Sequence, residues 1–274
     1  MEKINHNVHS KRKKVGLVLS GGGVKGISLI GVLDCLHKNH IRIDSILGVS
    51  IGSIVGAMYL YYKDPQIVAN KLLTADFKDF VDISWFHLLF LPFSRKVGLC
   101  KGQNISQLLR HQLPESDISE LHESFIICAT NLKTLKPTFL KKGNLIDALL
   151  ASSALPPYYA PVVYEGELFI DGAVSDPMPI QALRDEGMDI VIAVDISSVE
   201  SDFSMSNMLE ISYMSLDISR YYMIQEKLKQ ADCVISLNLN VPAISNPQDK
   251  NVLFNSGFDA TALCIDKIKS LISH

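Results

Sequence analysis

The sequence predicts an α/β fold with a parallel-type central sheet. Short apolar runs alternate with helical segments along most of the 274 residues. A strand, a helix and a second strand in succession form a right-handed crossover, which makes the two strands parallel. Apolar residues make up 47% and charged residues 20% of the chain, and this composition excludes a disordered protein.

The first four elements establish the pattern. The apolar run VGLVLS (15–20) predicts a buried strand, which leads through the loop GGGVKG (21–26) into a helix over 27–40. SILGVS (45–50) then predicts a second strand, followed by a second helix over 51–63 that ends near a proline. These two consecutive strand–helix units predict the parallel part of the sheet.

The remaining elements continue the alternation less regularly. Further strands are predicted at 125–130, 137–140, 190–196 and 233–237, and as a pair joined by a turn within 162–172. Further helices are predicted near 104–112 and over 144–153, 205–230 and 256–272. Since no internal repeat or low-complexity linker interrupts the chain, the sequence predicts a polar basic tail over 1–14 and a single domain over 15–274.

Charge and cysteine usage limit the partners and the compartment. The net charge of −3 gives no reason to expect a nucleic-acid partner. The five cysteines are odd in number and scattered without a Cys-x-x-Cys pair, which favours free thiols in a reducing compartment. The N-terminus lacks the apolar core of a signal peptide, and no apolar run is long enough to cross a bilayer. The sequence therefore predicts a cytoplasmic protein, with export by a different route or peripheral membrane association left open.

The most specific motif is Gly48-Val49-Ser50-Ile51-Gly52. It follows an apolar strand and opens a helix, which is the context of a nucleophile elbow. An abrupt turn from strand to helix brings backbone segments together, so the flanking positions need glycine. The turn would present the Ser50 hydroxyl at the sheet edge, beside a helix N-terminus that stabilises negative charge.

The loop GGGVKG (21–26) has two interpretations. Its backbone N–H groups precede a helix and can bind either a phosphate group or the oxyanion of an acyl-transfer intermediate. The stretch also matches the dinucleotide fingerprint Gly-x-Gly-x-x-Gly. Asp44 lies at a suitable distance along the chain, but it precedes the second strand, whereas the fingerprint acid should end it.

A nucleophilic serine needs a proton acceptor. Only the terminal His274 follows residue 122, so the Ser, acid, His order of ordinary α/β-hydrolases lacks its histidine. Asp171 follows an apolar run and precedes two small residues, which makes it the candidate base. Its alternative interpretation is a turn or helix cap. Asp176 and Asp195 are weaker candidates because no Gly-Ala follows them.

Together these pieces resemble the patatin-like phospholipase family. The family pattern is a glycine-rich loop, a Gly-x-Ser-x-Gly elbow, an Ala-Ser-x-x-x-Pro stretch and a later Asp-Gly-Gly/Ala. This sequence has GGGVKG (21–26), GVSIG (48–52), ASSALPP (151–157) and DGA (171–173) in that order. The resemblance covers roughly residues 15–195 and implies a three-layer fold with helices on both faces of the sheet. The sequence departs from the common pattern at Lys25, where arginine is frequent, and at Asp176, where asparagine is frequent.

The resemblance implies a serine lipid acyl hydrolase of the phospholipase A or lysophospholipase type. Ser50 would be the nucleophile and Asp171 the base of a Ser–Asp dyad. The N–H groups of Gly21, Gly22 and Gly23 would form the oxyanion hole. The substrate would be a phospholipid or another acyl-ester lipid, and neither a metal nor a cofactor would be required.

Three alternatives remain open at this stage. They are an acyltransferase or thioesterase with the same dyad, a nucleotide-binding protein that uses the glycine loop, and a catalytically silent lipid-binding protein. The aromatic and aliphatic segment WFHLLFLPF (85–93) is either a lid or interfacial patch or part of the core. A lid or interfacial patch would bring peripheral contact with a membrane or micelle.

Overall fold

The computed structural model describes residues 12–74, 100, 102–121, 124–197, 208–239 and 250–273. The segment 85–93 lies outside these residues, so its two interpretations remain predictions. The same is true of five of the eight histidines: His6, His9, His87, His122 and His274.

The strands of the described residues form one sheet. In chain order they are β1 (Val15–Leu19), β2 (Ser45–Val49), β3 (Ser124–Asn131), β4 (Lys136–Leu140), β5 (Val162–Tyr164), β6 (Glu167–Asp171), β7 (Ile190–Asp195) and β8 (Cys233–Ser236). The strand order is β5-β6-β3-β2-β1-β7-β8, and β4 pairs with β3 outside this path. Strands β3, β2, β1, β7 and β8 run parallel to one another along this path, whereas β4 and β6 pair antiparallel with β3, and β5 pairs antiparallel with β6. The predicted parallel sheet is thus extended by an antiparallel section.

Helices cover both faces of this sheet. They are α1 (Ile27–Lys38), α2 (Ile51–Tyr62), α3 (Pro65–Thr74), α4 (Gln103–Gln112), α5 (Leu145–Ser152), α6 (Ile180–Asp185), α7 (Met208–Leu228), α8 (Lys250–Ala262) and α9 (Ile265–Ser273). Alternate residues of β1 enter different cores: Leu17 and Leu19 pack with α1 and α2, whereas Val18 packs with α6 and α7. Because both faces are buried, the parallel strands read as continuous apolar runs. The three-layer prediction is confirmed.

One helix prediction needed correction, and the helices α3 and α6 were not predicted. The prediction of one closing helix over 256–272 is wrong, because α8 ends at Ala262 and α9 begins at Ile265. At the break, the N–H of Cys264 bonds to the carbonyl of Thr261, which tightens the last turn. Helix α3 was also missed, because the proline read as the end of α2 is its first residue, a position that proline favours.

The first described residues pair with acidic side chains of the domain. The N–H of Lys14 donates to the Asp189 carboxylate at 2.7 Å, and Arg12 forms an ion pair with Asp44. Thus part of the predicted tail contacts the domain. The five cysteines are free thiols, and four are buried: Cys35, Cys100, Cys128 and Cys233. Within the described ranges, no helix is both long and apolar enough to cross a membrane.

Candidate active site

Ser50 occupies a strained turn between β2 and α2. Its backbone angles are φ 53° and ψ −125°, and residues other than glycine rarely adopt a positive φ. Contacts explain the flanking glycines. A Cβ atom on Gly48 would lie 2.3 Å from the Cα of Ser53, and one on Gly52 would lie 2.3 Å from the carbonyl oxygen of Leu19. The local backbone is therefore that of a nucleophile elbow.

Asp171 ends strand β6 and is fully buried. Its Oδ1 accepts a hydrogen bond of 2.8 Å from the N–H of Ala173 and so caps the short 3-10 turn Gly172–Val174. Its backbone is fixed as well, because its N–H donates to the Ala154 carbonyl and its carbonyl accepts from the Thr130 hydroxyl. Oδ2 is buried and has no hydrogen-bond partner among the described residues. The alternative interpretation of Asp171 as a turn cap is therefore confirmed for Oδ1. Oδ2 takes no part in the cap and is available as a proton acceptor.

Strand pairing explains why Asp171 meets Ser50. Strand β3 pairs with β2 up to Val49 opposite Cys128, and with β6 from the next residue, Ala129, which lies opposite Asp171. Strand β4 pairs with β3 along both stretches, so β2 and β6 must lie on the same side of β3, end to end. The end of β2 and the end of β6 therefore converge, and each carries one of the two side chains.

The electrostatics of Asp171 favour a base that is stronger than an ordinary carboxylate. Burial raises its pKa from 3.8 to about 6, against the lowering effects of the Ser50 hydroxyl, the Ala173 N–H and the Arg220 charge. The Ser50 hydroxyl acts on the carboxyl as a hydrogen-bond donor, yet it falls short of full hydrogen-bond geometry with Oδ2. Catalytic hydrogen bonds are often long or misaligned before substrate binds.

Ser152 fixes the elbow from the end of α5. Its hydroxyl accepts a 3.0 Å hydrogen bond from the N–H of Ser50 and donates one of 2.6 Å to the carbonyl of Cys128. The side chain is fully buried. Sequence reasoning quoted the stretch that contains Ser152 but assigned the residue no role. Only the packing of α5 against β3 shows that it joins the elbow to the sheet.

The glycine loop lies against the elbow. A Cβ atom on Gly21 would be 3.1 Å from the Cβ of Ser50, and one on Gly26 would be 2.2 Å from Ile51 Cγ1. Gly23 has φ 57° and begins the 3-10 turn Gly23–Gly26. The first N–H groups of a helical turn have no acceptor within it. The loop therefore brings backbone donors near Ser50 at a position without room for a side chain.

Helix α7 contributes a buried cation that sequence reasoning missed. Arg220 is 8% exposed, forms an ion pair with Asp217 and interacts with the Tyr213 hydroxyl. Its charge lowers the pKa of Asp171. The Tyr213 ring in turn packs edge-on against Tyr158, with 5.6 Å between centroids. The sequence around Arg220 matches no motif, so only the tertiary structure reveals its position.

The two weaker acid candidates are engaged elsewhere. Asp176 Oδ2 accepts from the Lys227 ammonium at 2.9 Å. Asp195 Oδ1 accepts from the N–H and the hydroxyl of Ser197 at 2.8 and 2.6 Å. Among the three acids, Asp171 is the one that lies beside Ser50.

The remaining candidates for chemistry lie apart from this site. The Asp44 carboxylate accepts from the N–H of Val15, at the start of β1, whereas the glycine loop follows the end of that strand. Asp44 therefore lies at the wrong end of the sheet for a dinucleotide bound at the loop. The described histidines, His37, His40 and His111, are exposed. Within the described ranges, no group of three or more His, Cys, Asp or Glu side chains is arranged to hold a metal ion.

Comparisons with known proteins agree on one family. The family model described as patatin-like phospholipase matches residues 17–184. The lysophospholipase NTE1 of Debaryomyces hansenii is 31% identical over 194 residues, which is 71% of this chain and 12% of that protein. The lysophospholipase nte1 of Aspergillus fumigatus is 29% identical over 190 residues, 69% of this chain and 12% of that protein. The chain thus spans about an eighth of the length of these relatives.

A solved structure shares the fold. VipD from Legionella pneumophila superposes with a TM-score of 0.61 over 94% of this chain and 67% of its own, at 14% sequence identity. The likeness extends beyond the stretch that the family model matches, so it includes part of the chain's C-terminal third.

Proposed function

Because the chain belongs to the patatin-like phospholipase family, we propose that it hydrolyses acyl esters of lipids as a phospholipase A or lysophospholipase. One observation carries this proposal. The buried carboxyl of Asp171, with one oxygen that no described residue hydrogen-bonds, lies beside a serine held in a strained elbow. A hydroxyl group beside a desolvated base is the arrangement that nucleophilic catalysis requires.

In the first half-reaction, Oγ of Ser50 bonds to the ester carbonyl carbon while its proton passes to Oδ2 of Asp171. The carbonyl π electrons move to oxygen and form a tetrahedral oxyanion. When the oxyanion collapses, the bond to the alcohol oxygen breaks, and Asp171 returns the proton to that oxygen. A pKa of about 6 leaves the carboxyl mostly ionised at neutral pH and makes it a better proton acceptor than an exposed aspartate.

The glycine loop stabilises the oxyanion. We assign this role to the N–H groups of Gly21, Gly22 and Gly23, because Gly21 contacts Ser50 and Gly23 opens a helical turn. Such donors are pre-organised, and removing one from comparable sites slows the reaction by about a hundredfold to a thousandfold. The N-terminus of α2, where Ser50 occupies the N-cap position, adds a favourable dipole.

In the second half-reaction, water replaces the alcohol. Asp171 takes a proton from the water molecule as the water oxygen attacks the acyl-enzyme carbonyl. It then gives that proton to Oγ of Ser50 as the bond between Oγ and the acyl carbon breaks. The products are a free fatty acid and the resting enzyme. An acyltransferase would use the same dyad with a different acceptor, and no observation in the structure favours it.

We assign the acyl chain to a cavity that reaches Ala154. It has a volume of about 510 Å³ and lies between α4 and α5, and its lining includes Ile105, Leu150 and Ala154 as well as the polar side chains of Gln103 and Arg110. The carbonyl of Ala154 accepts the hydrogen bond from the Asp171 N–H, so the cavity begins at the residue that holds the base. An apolar chain in this space would extend away from the scissile ester.

A fluorophosphonate probe tests the proposal directly. The intact chain is labelled, digested and analysed by mass spectrometry, and release of fatty acid from lysophosphatidylcholine is measured in parallel. We expect the label on Ser50 and loss of both labelling and turnover in Ser50→Ala. Ser212→Ala, which alters an exposed hydroxyl on α7, serves as the matched control. Labelling of a different serine, or turnover by Ser50→Ala within tenfold of wild type, would refute the assignment.

A further inference from the structure

Four exposed aliphatic side chains gather at one end of the antiparallel section of the sheet. Leu132, Leu135, Val163 and Leu168, here called the tip patch, are 36%, 76%, 65% and 47% exposed. Val163 lies directly opposite Leu168 in the β5–β6 pair, and the N–H of Leu132 donates to the carbonyl of Leu168 at 2.9 Å. Opposed residues project from the same face of a sheet, so three of the four form one cross-strand row.

Leu135 completes the patch from the loop that joins β3 to β4. Its φ is 59°, a left-handed conformation in which a leucine is a genuine outlier and glycine or asparagine is usual. An exposed leucine in a strained position contributes little to the core. Strain of this kind is a reason to look for a function of the residue. Strand β5 also ends the strand order, and edges of this type usually carry charge rather than exposed aliphatic residues.

The tip patch lies at the same end of the sheet as the dyad, with Leu168 and Asp171 on opposite faces of β6. Strand β3 continues past the end of β2 at Val49, and the patch forms where β3 itself ends. Leu168 precedes Asp171 by three residues along β6, a separation of about 10 Å at the rise of a strand. A lipid surface that contacted the patch would therefore lie close to the proposed catalytic residues. The distance is about the depth of the headgroup region of the lipid.

One exposed lysine beside the tip patch complements anionic phosphate groups. Lys136 follows Leu135, is exposed and has no ion-pair partner among the described residues. Lys133 is exposed as well, but it pairs with Glu167 at 3.1 Å, and Asn131 donates to the same carboxylate. Lysine side chains can place their stems on apolar surface while the ammonium groups reach phosphate. Aliphatic side chains beside exposed lysines are the composition of a surface that rests on lipid.

We propose that the tip patch docks the protein on aggregated lipid, either a bilayer or a micelle, with the dyad facing the interface. This inference rests on the proposed function, since it supplies the route by which an ester in a lipid aggregate reaches Ser50. The apolar row enters the boundary between headgroups and acyl chains, and Lys136 binds the phosphate layer. Substrate is thereby drawn from the aggregate rather than from free solution.

Leu135→Asn is the decisive variant, because asparagine suits the left-handed backbone and should preserve the fold. Binding is measured by sedimentation with phosphatidylcholine vesicles, with and without phosphatidylglycerol. We expect Leu135→Asn to weaken binding about tenfold, as the loss of one buried leucine implies, and Leu135→Asn with Leu168→Thr to weaken it further. Leu263→Asn is the matched control, since Leu263 is 88% exposed at the break between α8 and α9, outside the tip patch.

Activity separates this inference from the proposed function. Leu135→Asn should lose about tenfold in rate on vesicles while retaining wild-type rates on a soluble short-chain ester. Absence of ester hydrolysis by the wild type would refute the function and leave vesicle binding as a separate result. Equal vesicle binding by wild type and Leu135→Asn would overturn the docking surface. So would a wild-type dimer in sedimentation that Leu135→Asn converts to a monomer, because a second copy would then occupy the patch.

Discussion

Asp171→Asn tests both consequences of burying a carboxyl group beside a nucleophile. The substitution preserves the shape of the side chain and removes its charge and its basicity. A general base contributes about a hundredfold to ten-thousandfold to the rate, so kcat should fall by at least about a hundredfold. The fold should persist, because the Asn oxygen can still accept the hydrogen bond from the N–H of Ala173.

The effect on stability follows from the pKa, which burial raises from 3.8 to about 6. A raised pKa means that the folded state binds the proton more tightly than the unfolded state does. The stability that Asp171 contributes to the wild type is therefore fully present below about pH 4, is lost as the pH rises through about 6, and is not regained above that pH. Two pKa units correspond to about 3 kcal/mol, of which about 2 kcal/mol is lost between about pH 4 and about pH 8.

The variant lacks this titration, so the comparison is made across pH. The free energy of unfolding of Asp171→Asn, minus that of the wild type, should grow by about 2 kcal/mol over this pH range. The free-energy cost of burying the asparagine amide is the same at each pH, so it cancels when the differences at two pH values are compared. The assay is urea denaturation followed by circular dichroism at several pH values. Asp266→Asn, which makes the same substitution at an exposed aspartate, is the matched control.

Two results would refute this reasoning in different ways. A free-energy difference that stays constant with pH would mean that the Asp171 carboxyl is not held in an environment that disfavours its charge. Turnover by Asp171→Asn close to that of the wild type would mean that another group takes the proton from Ser50. The wild-type pH profile provides a third check, because kcat/KM should rise with pH to a plateau above about 6.

Three further substitutions test the surroundings of the dyad. Ser152→Ala leaves the N–H of Ser50 and the carbonyl of Cys128 without their partner, so urea denaturation should show a loss of about 1–3 kcal/mol and kcat should fall with it. Arg220→Met removes the cation that lowers the pKa of Asp171, so the rising limb of the kcat/KM profile should move to higher pH, with Arg220→Lys restoring part of the displacement. An unmoved profile in Arg220→Met would contradict this coupling. The Ser153 hydroxyl lines the cavity and has no partner among the described residues, so Ser153→Leu narrows the cavity. In this variant kcat/KM should fall about tenfold or more for substrates with long acyl chains relative to substrates with short ones. Ser153→Ala, the control, should show no such preference.

Local rules were sufficient to predict the elbow and the parallel strands. The glycines on either side of Ser50 are required by atoms a few residues away along the chain or on the neighbouring strand, so the motif itself records the constraint. The strands β1, β2 and β7 are buried on both faces and consist of apolar residues apart from Ser45 and Asp195 at their ends, so the sequence shows them as apolar runs. The break at Cys264 was missed because neither glycine nor proline marks it and the apolar spacing continues on both sides.

The convergence at the active site depended on tertiary structure. Asp171 was a candidate from its neighbours in sequence, but its meeting with Ser50 results from β6 continuing the line of β2 beside β3, a pairing between distant segments. Its raised pKa results from burial, and the opposing charge comes from Arg220 on a helix whose sequence has no motif. Sequence determined the elements and the residue types at their ends, because those obey short-range sterics and periodicity. Which ends meet, and in what dielectric environment, was decided by strand order and helix packing, which are properties of the whole chain.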